Sequence, residues 1–126
     1  MKPLLPGFGL PAAIVGVTVQ NPNNPERQTN LDGIVDTGAD MTLIPTGLAE
    51  QIGVRSHTGM FVSGVDGLNL EHPVFIVNLD FAETKLERRS VCAWNGAFVI
   101  LGRDALEEFT FAYDGKTRQF EIRDPK

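Results

Sequence analysis

The stretch Asp36-Thr37-Gly38-Ala39-Asp40 constrains this chain more than any other. It follows Leu31-Asp32-Gly33-Ile34-Val35 and precedes Met41-Thr42-Leu43-Ile44-Pro45, two runs rich in β-branched and other apolar residues. A strand therefore delivers a carboxylate into a tight turn, and a second strand leaves it. Thr37 brings a hydroxyl to that turn. Gly38 lets backbone approach closely and accepts backbone angles that other residues avoid. Such a turn presents one carboxylate among backbone N–H groups on a rigid base.

The rest of the chain reads as short strands arranged around that turn. Residues 12–20 and 29–35 predict two strands, joined by a turn over residues 21–28 that holds two prolines and three asparagines. Residues 41–44 predict a third strand. Residues 46–52 predict a short helix, with Thr46 as its N-cap and Gly53 just past its end. Residues 54–69 read as a hairpin with a glycine-rich tip, and residues 74–81, 86–92 and 97–101 as further strands. A second helical segment is expected over residues 104–109, with Asp104 as N-cap and Glu107 in the capping-box position. The turn pair Asp114-Gly115 closes a last hairpin. The class is mostly β, without a repeat of 20–50 residues.

Composition narrows the partners. The 126 residues suit one domain with one core. A net charge of −5 argues against a nucleic-acid or anionic-membrane surface. No run approaches the roughly 18 apolar residues of a membrane span. Residues 1–11 hold three prolines and no apolar core of a signal peptide, and read as an extended arm. The single cysteine, Cys92, excludes an intrachain disulfide. These features predict a cytoplasmic protein, or a soluble domain released from a larger precursor.

Three features stand in a telling order: Asp36-Thr37-Gly38-Ala39 after an apolar strand, a glycine-tipped hairpin at about residues 59–70, and Val99-Ile100-Leu101-Gly102-Arg103-Asp104 before a short helix. This order resembles the retropepsin-like aspartic proteases, in their cellular or bacterial branch, over residues 12–109. The resemblance implies a closed six-stranded-type barrel with one or two short helices and a flap hairpin. Residues 1–11 would form an arm and residues 12–126 one protease domain, with a C-terminal hairpin at about 109–123.

The same resemblance implies roles. Asp36 would be catalytic. Two like charges about 3 Å apart cannot both ionise, so a pair of carboxylates shares a proton. One Asp-Thr-Gly supplies one carboxylate, and the active species would be a homodimer with Asp36 from each copy. Thr37 would lock the two loops together. Gly38, Ala39 and Asp40 would bind an extended peptide, with Gly64, Val65 and Asp66 of the flap over it and Ile100 in a subsite wall. Ile34, Met60, Val62 and Phe75 are further wall candidates. Asp40 and Arg103 would form a partly buried, bidentate ion pair bracing the loop. Residues 12–20 carry no Lys or Arg to join that pair from a partner, and the C-terminal hairpin would build the dimer interface in its own way.

No cofactor and no metal are expected, because His57, His72 and Cys92 match no zinc spacing. Trp94 reads as a packing residue. A competing reading is a non-catalytic peptide-binding or dimerisation module on the same fold. A metal- or phosphate-handling loop of Asp32, Asp36 and Asp40 is disfavoured, since residues spaced so along a strand and turn do not converge.

Overall fold

Val15, Val17 and Val19 are buried while Gly16 between them is exposed, the period-two pattern of a strand with one face on a core. The computed structural model describes residues 2–8, 10–56, 58–62 and 70–124, of which 5–8, 10–11, 58–62 and 70–72 are described by their backbone alone. In chain order the elements are β1 (Lys2–Pro3), β2 (Leu5–Phe8), β3 (Leu10–Ala12), β4 (Ile14–Asn21), β5 (Asn24–Val35), β6 (Leu43–Pro45), α1 (Leu48–Gln51), β7 (Thr58–Val62), β8 (Leu70–Phe81), β9 (Thr84–Trp94), β10 (Val99–Leu101), α2 (Arg103–Leu106), β11 (Thr110–Asp114) and β12 (Gln119–Arg123).

Six of these strands close into a ring in the order β4-β5-β10-β6-β9-β8, and β8 returns to β4 through Thr18↔Asp80, Val19↔Leu79 and Gln20↔Asn78. Closure leaves the ring no free edge. Strand β7 hangs on β8 outside it, from Thr58↔Val74 to Val62↔Leu70. These two antiparallel strands flank the residues where a flap was expected. The tip, with Gly64, Val65 and Asp66, lies outside the described residues. The expected separate strand at residues 74–81 is continuous with the second arm, so β8 runs through both.

The main core fills the ring with Val17, Val19, Ile44, Val77, Leu79, Val91, Val99 and Leu101. A smaller cluster of Leu43, Val74, Cys92 and Ile100 packs against Ala39, Met41, Trp94 and Phe98. The C-terminal hairpin is tied to the main core by Phe120, which is 1% exposed. Strand β12 also pairs with β1 of the same chain, Lys2↔Phe120 and Pro3↔Gln119, giving a separate sheet β1-β12-β11.

Three local expectations are corrected. The turn over residues 21–28 is only Pro22-Asn23, and β5 begins at Asn24. The Asn21 side chain accepts from the N–H groups of Asn23 (2.8 Å) and Asn24 (3.1 Å), closing the turn early. The register then passes from Asn21↔Asn24 to Gln20↔Gln28, which leaves Pro25 out of the ladder. Thr46 does not cap α1. Its hydroxyl donates to the Trp94 carbonyl at 2.7 Å, and Gly47, in the left-handed region, stands at the N-cap. Asp104 is in the first turn of α2, whose N-cap is Gly102, and Glu107 follows the last turn. Gly53 does close α1: with φ of +77° it donates to Glu50, while Val54 donates to Ala49. Among the described residues no helix is long and apolar enough to cross a membrane.

Candidate active site

Strand β10 lies parallel to β5, with Ile100↔Ile34 and Leu101↔Val35. This pairing carries the Asp36 loop. The Val35 N–H donates to the Ala13 carbonyl (2.9 Å), and the Asp36 N–H to the Leu101 carbonyl (3.0 Å). The Ala39 N–H then returns to the Asp36 carbonyl at 3.2 Å, closing the turn. Beyond it, the Ala39 carbonyl accepts from the Arg103 N–H (2.8 Å) and the Asp40 carbonyl from the Asp104 N–H (3.3 Å). The start of α2 is thus stitched to the outgoing side of the loop.

Gly102 sits where these two segments cross. A Cβ on it would lie 2.5 Å from the Met41 carbonyl oxygen and 3.0 Å from that of Ala39. Both are backbone atoms that cannot swing aside, so only glycine fits. Beside it, Thr42 is fully buried. Its N–H donates to Asp104 Oδ2 (3.1 Å) and its hydroxyl to Asp104 Oδ1 (2.8 Å). The same hydroxyl accepts from the Gly102 N–H at 3.2 Å, and the Thr42 carbonyl accepts from Cys92. Buried polar groups that are all satisfied rigidify their surroundings.

On this base the Asp36 side chain is half-buried, and its Oδ1 accepts from the Gly38 N–H at 2.9 Å. A Cβ at residue 38 would approach that oxygen to 3.2 Å. Thr37 and Gly38 are exposed. Thr37 borders an open cleft of about 650 Å³ that also meets Asp40, Arg103, Asp104, Leu106, Glu107 and Phe111. The carboxylate is therefore fixed by backbone and yet open to water on one side.

Residues 15–108 match the family model described as aspartyl protease. The chain belongs to the aspartyl protease family. Its fold is retropepsin-like. The chain is similar to the EIAV protease solved with the inhibitor HBY-793, at 22% identity and a TM-score of 0.61, over 82% of this chain and 92% of that one. It is similar to a retropepsin-like aspartic protease from Rickettsia conorii at 14% identity and a TM-score of 0.56, over 93% and 96% of the two chains. The retroviral protease-like domain of Ddi1 from Leishmania major aligns at 18% identity and a TM-score of 0.55, over 88% and 87%. At these identities the likeness is one of fold. No curated protein sequence matches the chain.

In this chain the Arg103 guanidinium pairs with Asp40 through Nη2 and Oδ1. The pair is exposed, with side chains 60% and 80% accessible, where a partly buried, two-pronged pair was expected. Both residues lie at the surface end of the loop–helix seam, so the seam itself is held by backbone bonds and by Thr42 and Asp104. Ile100 is buried beside Leu43, Val74 and Cys92, while Ile34 and Phe75 are half-buried. The side chains of Met60 and Val62 lie outside the description.

Thr42 and Asp104 were not singled out as site residues by sequence. The signal available was a lone hydroxyl inside the apolar run Met41–Ile44 and an acid directly after Gly102-Arg103. Trp94 packs edge-on against Phe98 and donates its indole N–H to the Phe98 carbonyl at 3.0 Å. Cys92 lies beneath the loop, its sulfur 3.9 Å from that of Met41. Burial, and secondarily the Asp104 carboxylate, push its thiol above its ordinary pKa, which keeps it protonated and unreactive. Among the described residues no group of three or more His, Cys, Asp or Glu is placed to hold a metal.

Proposed function

We propose that this chain is an aspartic endopeptidase that acts as a homodimer, with one Asp36 from each copy. The reading is carried by the Asp36 carboxylate, half-buried, hydrogen-bonded to the Gly38 N–H and seated on the β5–β10 crossing. Membership of the aspartyl protease family and the retropepsin-like fold support it. One copy ionised and one protonated make an acid–base pair. The ionised Asp36 takes a proton from a water held between the two. That water adds to the scissile carbonyl carbon, and the protonated Asp36 gives its proton to the carbonyl oxygen. On collapse of the tetrahedral intermediate one hydroxyl returns its proton to the Asp36 that had given it, and the Asp36 protonated by the water gives its proton to the departing nitrogen, so the amine leaves with no covalent bond to the enzyme.

In this reading Thr37 links the two loops, and Gly38, Ala39 and Asp40 hold an extended peptide by its backbone. Gly64, Val65 and Asp66 cover the peptide, and Ile100 underlies a subsite. The partner copy meets the face that holds Thr37 and the cleft beside it. The outer edge of β11 supports that choice, because β11 pairs only with β12 among the described strands and an unpaired edge is a template for association. Tyr113 on β11 is 57% exposed.

Sedimentation at about pH 4 to 8 should show a dimer that a statine-type inhibitor strengthens. Asp36→Asn should abolish peptide cleavage and retain peptide binding. A monomer indifferent to the inhibitor, or an Asp36→Asn variant that cleaves like the parent, would overturn the proposal.

A further inference from the structure

A second cleft, of about 520 Å³, lies at the far end of β5 from Asp36. It is bordered by Asn21, Asn23, Arg55, Ser56, Ile76 and Arg88, and no acidic side chain lines it. That is unusual in a chain with 16 acidic and 11 basic residues. Arg27 adds a third cation at its rim. The Arg27 guanidinium lies against Gly53, where a Cβ would come within 2.5 Å of it, and Nη2 donates to the Gln51 carbonyl at 3.1 Å. Among the described residues none of Arg27, Arg55 and Arg88 forms an ion pair.

The floor of the cleft is rigid. The Asn21 side chain closes the β4–β5 turn through its oxygen and donates to the Ile52 carbonyl at 3.0 Å through its nitrogen. Arg88 is held at a bulge where the β8–β9 register shifts between Val77 and Leu79. Its N–H donates to Asn78 Oδ1 (2.9 Å), and its guanidinium donates to Asn23 Oδ1 (3.1 Å). Its φ is +51°, a left-handed angle that suits glycine or asparagine. An arginine kept in an unfavourable backbone state points to a use for its side chain.

We infer that this cleft is an exosite for an acidic segment of a protein substrate, bound through Arg55 and Arg88 with Arg27 at the rim. The inference rests on the protease reading for the word substrate, but the binding does not depend on catalysis. Guanidinium groups bind carboxylates through paired N–H donors, and these three retain unused ones. The amides of Asn21 and Asn23 and the apolar Ile76 suit a peptide backbone and side chains. The net charge of −5 repels a large polyanion at a distance, whereas a short acidic run enters within the roughly 8–10 Å over which salt screens that field. Arg55-Ser56 lie just before β7 and Ile76 lies on β8, so the cleft sits at the base of the flap hairpin.

The test is fluorescence anisotropy of a labelled Asp/Glu-rich peptide with the full chain, alongside the same peptide with Asn and Gln in place of Asp and Glu. The acidic peptide should bind, the neutral one should not, and Arg55→Gln with Arg88→Asn should weaken binding about tenfold. Asn is chosen at residue 88 because it accepts the left-handed angle. Asp36→Asn should bind the peptide like the parent. In cleavage assays the double variant should raise KM for an acidic-tailed substrate and leave kcat, and a neutral substrate, unchanged. Equal binding of acidic and neutral peptides, or an undiminished double variant, overturns the exosite. So does displacement of the peptide by an equal concentration of inorganic phosphate, or tighter binding of a labelled oligonucleotide. Peptide binding that is lost in the double variant, with no cleavage by the parent chain, keeps the cleft and removes the protease reading.

Discussion

Thr42 and Asp104 hold each other twice: the Thr42 N–H and hydroxyl donate separately to the two oxygens of the Asp104 carboxylate. They lie on either side of the Asp36 loop seat and are brought together only by the fold. Asp104→Ala strands two buried donors, at a cost of about 2–4 kcal/mol. For a domain of this size the melting temperature should fall by roughly 10 °C. Asp104→Asn keeps one acceptor and should lose about half as much. Calorimetry on the three proteins checks this, and an unchanged Asp104→Ala melting temperature would exclude the bracing role.

Gly102→Ala should be costly for a different reason. The new methyl meets the Met41 and Ala39 carbonyls, so the loop and α2 must part. Overpacking of this kind costs about 1–3 kcal/mol. Gly16→Ala is the control, because nothing lies within 4 Å of its Cβ. Urea midpoints should separate the two variants, with Gly16→Ala close to the parent.

How much of this was legible in the sequence follows from where each partner lies. Gly53 was read correctly as the end of α1 because its bonds reach only Glu50 within its own helix. The Asp114-Gly115 turn was likewise local. Thr46 and Asp104 were misread as caps because their true partners, Trp94 and Thr42, come from segments remote in the chain. The parallel pairings of β10 with β5 and of β6 with β9 leave no short-range trace either. The loop Asp36–Asp40 was recognisable, and the network beneath it was not.

Cys92 gives a prediction about chemistry. Its pKa is raised first by burial and then by Asp104, so the native state favours the neutral thiol. That contribution is fully present below the unfolded-state pKa and is lost as pH rises through the folded value. Iodoacetamide at about pH 8, near the ordinary thiol pKa, should modify the native chain only at the rate at which it opens. Mass spectrometry of native and denatured samples decides it, and equally fast labelling of both would refute the burial argument.

Asp114 carries the opposite sign. The N–H of Thr117 and its side chain, and then the N–H of Lys116, bond the carboxylate and lower its pKa below 3.8. The charged form helps the β11–β12 turn above the unfolded-state pKa, and that help is lost as pH falls through the folded value. Asp114→Asn should therefore flatten the acid limb of stability below about pH 4. Denaturant midpoints measured against pH would show the two curves converging in acid.

The hydrogen bond from the Asp36 N–H to the Leu101 carbonyl also sets when the loop can take its shape during synthesis. A nascent chain that has not yet reached residue 99 possesses the Asp36 carboxylate but no β10, and its ring stays open between β5 and β6. Pairings between such distant segments form late, after the entropy of closing a long loop has been met. On the ribosome, the seat of the Asp36 loop is therefore completed only after residue 101 has emerged.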